Sequence, residues 1–431
     1  MNDTNTPIWV SHVGRKLLNV VLPMLLLFSL GFVLGMTSNT NLPNFYLPFV
    51  PSLLPTATLP PSPSLAPLSP PAPSPPPPPP RQPPASSPPP PAPSSTPARN
   101  QQIMGLMDFL APNGVMTKNN MTDEELLWWA SMAPKVRSTP YHRVPKVAFL
   151  FLVRGELPLR PLWEKFFQGH DGLYSIYVHT DPSYTGSPPK DSVFYGRTIP
   201  SQRTFWGDVT LVAAARRLVA NALLDIGNER FVLLSESCIP LYNLTTVHAV
   251  LTAGSNTSFV DSFVNHDSEV RYDPFFGRRH GASGNITLAQ WRKGSQWFEM
   301  DRGLALELVS DGAYYPAFLE YCGRRRYCFA EEHYLPTLLS VLRWGRRNAN
   351  RTLTYADWRR GGSHPRTHGA RDVTEALIRE IREGGGGRTS TNCTGGYNGG
   401  ASGVCYVFAR KFAPDTLEPL LRLAPKVMGF G

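Results

Sequence analysis

The sequence predicts an α/β fold built on a parallel sheet, set beyond a membrane anchor and an unfolded spacer. Three observations carry this. From residue 145 onward, short apolar runs of strand length alternate with segments of helical period, the pattern of a parallel sheet flanked by helices. Three successive strand runs end in polar residues, where ligands sit in open α/β sheets. The N-terminal quarter has no such alternation, only one long apolar stretch and a proline-rich tract.

Leu17 to Met36 is uncharged over 20 residues, enough to cross a bilayer core at roughly 1.5 Å per residue. Arg15 and Lys16 precede it, and no Lys or Arg follows until Arg81. Residues 1–16 are therefore expected in the cytosol, with the rest across the membrane. A cleaved signal peptide is the rival reading, but "GFVLGM" supplies a poor cleavage site. Residues 37–100 form the expected stem. About half of the chain's 45 prolines fall there, including "PSPPPPPPRQPPASSPPPPAP". Such a segment cannot bury enough apolar surface to fold, and reads as an extended polyproline spacer. Residues 101–144 lead into the head and contain "TDEELLWWASMAP", a short amphipathic helix opened by a Thr or Asp cap.

The head spans 145–431. "KVAFLFLV" reads as a buried strand, "PLRPLWEKFFQG" as a helix and "YSIYVHTD" as a second strand. "WGDVTLVAAARRLVANALLD" is a long helix and "RFVLLSES" a third strand. The polar tails are Arg154, His179-Thr180-Asp181 and Ser235-Glu236-Ser237. "WRKGSQWFEMDRGLALELVSD" puts two tryptophans among planar polar side chains, either a sugar-binding wall or a Trp-rich core strand. In and just beyond "CFAEEHYLPTLL", Leu335, Leu338, Leu339 and Leu342 define a helix with Pro336 in its first turn. Glu331 to Tyr334 then form its lead-in. A carboxylate there complements the helix dipole, or serves as a positioned base with a raised pKa. "VCYVFARKFAPDTLEPLL" reads as a strand ending at Arg410-Lys411, then a helix.

Composition excludes some functions. The net charge of +10 comes from scattered arginines with no run of five like charges, which argues against a nucleic-acid binder. All five cysteines lie beyond the apolar span; Cys322 with Cys328, and Cys393 with Cys405, are close enough to pair, leaving Cys238 free. No C-x-x-C occurs, which disfavours zinc. Sequons at Asn120, Asn243, Asn256, Asn285, Asn350 and Asn392 fit a luminal body. No Asp-X-Asp metal signature occurs, and the tetraglycine at 384–387 lacks the flanks of a phosphate loop.

Eight segments, in this order, carry a resemblance: "PKVAFLFLVRG", "IYVHTDPSY", Trp206–Asp225, "VLLSESCIPLYN", "WRKGSQWFEMDR", "CFAEEHYLPTLL", "DWRRGGSHPRT" and "CYVFARKFAPDTLEPLLRLAPKVMGF". Over about residues 145–430 the chain resembles the plant branch of the core-2/I-branching β-1,6-N-acetylglucosaminyltransferase family. The resemblance implies a GT-A-like glycosyltransferase head in a Golgi type II membrane protein. It implies inverting transfer of a GlcNAc-like sugar from a UDP-sugar to a glycan or glycoprotein, with no cofactor or metal. It makes Glu332 the catalytic base and Lys411 the neutraliser of the leaving diphosphate, with Arg382 as first and Arg388 as second choice of basic partner. Asp181 corresponds to the aspartate near the uridine; Trp358, Asp261 and Trp297 fall on the acceptor or transferred-sugar side. Glu331 stands where the family usually has Asp. The alternatives are a glycan-binding protein of the same fold without turnover, and a scaffold whose stem is the active part.

Overall fold

The computed structural model describes residues 121–135, 143–253, 256–273, 276, 285–325, 327–385 and 404–431. The expected anchor at 17–36 and stem at 37–100 lie outside them, as do Asn120, Arg388, Asn392 and Cys393. No helix among the described residues is long and apolar enough to cross a membrane.

In chain order come α1 (Asp123–Ser131), β1 (Lys146–Leu152), α2 (Arg160–Phe167), β2 (Tyr174–His179), α3 (Thr210–Leu223), β3 (Asn228–Leu234) and β4 (Ile239–Pro240). Then follow α4 (Leu244–Thr252), α5 (His266–Val270), β5 (Glu299–Asp301), α6 (Arg302–Ser310), α7 (Tyr314–Gly323) and α8 (Ala330–Val341). The chain closes with β6 (Thr354–Ala356), α9 (Glu375–Arg382), β7 (Phe408–Arg410) and α10 (Leu417–Leu423). The main sheet has the order β2-β1-β3-β5. Its first three strands are parallel, in keeping with the apolar runs they contain, and β5 is antiparallel to β3. A second sheet, β4-β7-β6, has β6 parallel to β7.

Alternation along β1 divides the core. Ala148, Leu150 and Leu152 face the cluster formed with α3, α6 and α8. Val147, Phe149 and Phe151 face the other, against Trp163, Phe166 and Phe167 of α2. On that side Phe149 meets Phe167 edge to face at 5.0 Å. The short helix α1 is opened by a capping box between Thr122 and Glu125 and docks on the head. Its Asp123 pairs with Arg217 of α3, and Arg217 in turn contacts His179 at 3.2 Å. His179, read from sequence as part of the crevice, is thereby buried; desolvation lowers its pKa to about 4.

Candidate active site

Helix α8 opens at Ala330, so Glu331 to Tyr334 form its first turn and Pro336 lies inside the helix. The expected lead-in is already helical because an outside donor replaces the one proline lacks. Pro336 has no N–H for the carbonyl four residues back, which belongs to Glu332. The Gly294 N–H donates to that carbonyl instead, at 2.8 Å. Only glycine fits there: a Cβ at 294 would fall 2.0 Å from the Asp261 carbonyl oxygen and 2.9 Å from Pro336 Cγ. The turn before the helix is set by Phe329, in the left-handed region at φ 49°. Cys328 and Phe329 both donate backbone N–H bonds to the Gly207 carbonyl, at 2.9 and 3.0 Å. Cys322 and Cys328 are joined by a disulfide.

The Glu332 carboxylate is held from two sides. Arg271, just beyond α5, donates to Oε2 at 2.8 Å, and Lys293 Nζ stands 3.4 Å from the same oxygen. Lys293 is nearly enclosed, with a side chain 10 % exposed, whereas that of Glu332 is 31 % exposed. The carboxylate is thus fixed yet reachable. Arg271 also lies over the Phe329 ring at 4.4 Å. Behind Glu332, buried His333 donates from Nδ1 to the Arg292 carbonyl at 2.8 Å and stacks on Trp291 at 4.6 Å. Burial lowers its pKa to about 4, so the ring is neutral and the tautomer set.

Glu331 turns the other way. It lines a cavity of about 30 Å³, room for one water, with Arg216, Gln296, Tyr334 and apolar neighbours. Burial, reinforced by the Glu332 charge, pushes its pKa up to about 7 from an ordinary 4.5. The folded chain therefore holds this proton more tightly than the unfolded chain. Its stabilising effect is full below pH 4.5 and is lost as pH rises through 7. Glu331→Gln should raise Tm by about 2–4 °C at pH 8 and by much less at pH 5 in paired thermal melts, about 1 kcal/mol after allowing for partial exposure.

A second group gathers at the carboxyl ends of the strands. Asp181, past β2, accepts from Ser183 N–H at 2.9 Å and its hydroxyl at 2.6 Å. These bonds hold its pKa below the usual carboxylate value. Its own N–H donates to the Arg154 carbonyl past β1 at 3.2 Å. Past β7, burial lowers the Lys411 pKa, helped by the charges of Arg410 and Arg154 and opposed by Glu236 past β3. Like charges brought together in this way favour an anion between them. The pairing of β6 with β7, Ala356 opposite Arg410, places Trp358 at this same end.

Two expected residues lie elsewhere. Arg382 ends α9 with Nε and Nη2 both donating to the Leu241 carbonyl, and its guanidinium covers the Tyr242 ring at 4.0 Å. Leu241 pairs with Val407, at the far end of β7 from Lys411, so Arg382 clamps α9 to the fold while Arg154 and Arg410 flank the lysine. Trp297 is 7 % exposed with the Arg410 guanidinium at 4.0 Å over its ring, and Trp291 is 1 % exposed. The Trp-rich stretch is core. Trp297 supports a cation and offers no open face to an acceptor.

The segment 293–297 joins the two groups, with Lys293 at Glu332 and Trp297 under Arg410. Four residues span at most about 14 Å. A reachable carboxylate and a basic cluster therefore stand at the two ends of one short segment. Residues 147–382 match the family model described as "Core-2/I-Branching enzyme". The chain belongs to this family. It is also 34 % identical over 316 residues to "Glycosyltransferase BC10" of Oryza sativa subsp. japonica, covering 65 % of this chain and 76 % of that protein. This core-2/I-branching enzyme is thus a glycosyltransferase of mixed α/β fold.

Within this family member the remaining expected residues fall as follows. Asp261 presents its carbonyl to Gly294 beside the Glu332 turn. Asn256 and Asn285 are exposed. Asn243 caps α4, and Asn350 accepts from the Ser262 N–H at 2.9 Å. Cys238 is buried and free, while Cys405 is disulfide-bonded. Sequence reasoning missed Arg271. It lies 61 residues before Glu332 in a polar stretch, with no local signal to single it out.

Proposed function

We propose that this chain transfers a sugar from a UDP-sugar to a glycan or glycoprotein acceptor, inverting the anomeric centre without a metal. Glu332 serves as base. The acceptor oxygen attacks C1 of an α-linked donor while its proton passes to Glu332. The bond from C1 to the diphosphate oxygen breaks, giving a β-linkage, and the charge that develops on UDP falls to Lys411, Arg410 and Arg154. Asp181 lies on the uridine side, Trp358 and Asp261 on the sugar side. One observation supports this most: the 293–297 segment touches the carboxylate at one end and the cation cluster at the other.

Glu331 is the competing base, since a pKa of about 7 suits proton transfer at neutral pH. Its carboxyl faces a small, largely apolar cavity, however, and the exposed carboxylate is that of Glu332. A type II orientation in the Golgi completes the proposal, supported by the apolar run at 17–36 behind Arg15 and Lys16 and by the sequons beyond it.

Purified full-length chain in detergent should release UDP from one of UDP-GlcNAc, UDP-xylose, UDP-glucuronic acid or UDP-galactose equally well with and without EDTA. Lys411→Ala should lower that turnover by roughly ten- to a hundredfold. EDTA-sensitive turnover would remove the metal-free assignment. No turnover and no UDP affinity would favour the glycan-binding alternative.

A further inference from the structure

The rim beside Glu332 carries an aromatic group that the reaction above does not use. Trp206 is 53 % exposed and Tyr327 48 % exposed. Around the Trp206 ring stand Tyr327 at 5.7 Å, Phe329 at 5.4 Å and His364 at 5.5 Å. These rings come from three separate segments, each pinned. The Gly207 carbonyl accepts from both Cys328 and Phe329, and Cys328 is tied to Cys322. The loop bearing His364 is closed by the Arg366 N–H to Asp357 carbonyl bond, at 2.8 Å, and by the Arg359–Asp357 ion pair. Exposed aromatics held this firmly are preorganised for a ligand.

We propose that Trp206, with Tyr327 and His364, forms an outlying subsite that holds a β-linked pyranose of the acceptor chain beyond the sugar being modified. The proposal rests on Glu332 as the acceptor-side base. Continuity with that residue carries it: Arg271 bonds Glu332 and covers Phe329, whose ring touches Trp206. The shape favours sugar over protein. Trp206 meets its neighbours at 59° to 83°, so the group offers separate ring faces about one pyranose wide and no broad apolar plane. The phenol, indole and imidazole edges add polar groups for hydroxyls.

The test is calorimetric titration of the full-length chain in detergent with β-1,3-galactotetraose, β-1,4-xylotetraose and cellotetraose. Each is compared with its methyl monosaccharide, and UDP serves as the donor-side control. At least one tetrasaccharide should bind, and Trp206→Ala should weaken it roughly ten- to thirtyfold. Trp206→Phe should recover most of the loss, while the methyl glycoside and UDP change by less than about threefold. Binding of no tetrasaccharide to the unmodified chain would overturn the proposal. So would tetrasaccharide affinity indifferent to Trp206→Ala, or an equal loss for UDP and the methyl glycoside. So would Trp206→Ala breaking a dimer in sedimentation while glycan affinity holds. If UDP binds and only the tetrasaccharide arms fail, the subsite alone falls; if UDP also fails to bind, the transferase reading falls with it.

Discussion

Glu332→Gln should reduce sugar transfer by about 10³- to 10⁴-fold, near the upper end of what a general base contributes. The amide keeps the shape of the carboxylate but cannot take the acceptor's proton at neutral pH. Its oxygen can still accept from Arg271, so the first turn of α8 should remain in place. The lost negative charge leaves Arg271 and nearly enclosed Lys293 without their shared counter-ion, at a cost of about 1–3 kcal/mol in stability. A stopped or radiolabel assay gives the rate, thermal melting the stability, and UDP titration the donor site. UDP affinity should be unchanged. If transfer survives within tenfold, Glu332 is not the base, and Glu331→Gln becomes the comparison that matters.

Gly294→Ala should be nearly as damaging, by a different route. The added methyl would lie 2.0 Å from the Asp261 carbonyl oxygen, closer than any real contact, and 2.9 Å from Pro336 Cγ. Backbone on one side and a ring inside a helix on the other leave no flexible side chain to give way. The segment at 294 must back away, loosening the N–H bond to the Glu332 carbonyl and drawing Lys293 from the carboxylate. Overpacking of this kind costs about 1–3 kcal/mol. A shift of about 1 Å at a catalytic group costs about a hundredfold in rate. Transfer should therefore fall about 10²- to 10³-fold while UDP affinity is unchanged. Wild-type rate and Tm in the alanine variant would show that the close approach does not set the base.

Much of the sheet was legible in the sequence. The apolar runs within β1, β2 and β3 declare buried strands, and the polar residues past them mark the carboxyl edge of the sheet. Glu332, Lys411, Asp181 and Trp358 are singled out by the family resemblance of ordered motifs, and their roles belong to the proposal. What stayed hidden depends on contacts between segments distant in the chain. Pro336 reads as a first-turn residue because the Gly294 bond that lets the helix begin earlier leaves no local mark. Trp291 and Trp297 read equally well as wall or core, since tryptophan suits both and only packing decides. Arg382 stood at a plausible distance from Lys411 in sequence, but Leu241 and Tyr242 hold it at the other end of β7. Arg271 carries no pattern at all.

The bond between Gly294 and the Glu332 carbonyl bears on how such a centre can be transplanted. The six letters Glu-Glu-His-Tyr-Leu-Pro, moved alone onto another scaffold, would bring a helix with a missing donor and no partner to supply it. Lys293, Gly294 and Arg271 would all have stayed behind. Grafting, or drift between paralogues, must carry two stretches together: the proline-bearing helix and the glycine-bearing segment facing it. Chimeras cut between residues 302 and 328 would separate these halves, and their fate depends on whether the donor of each half carries the same glycine and proline.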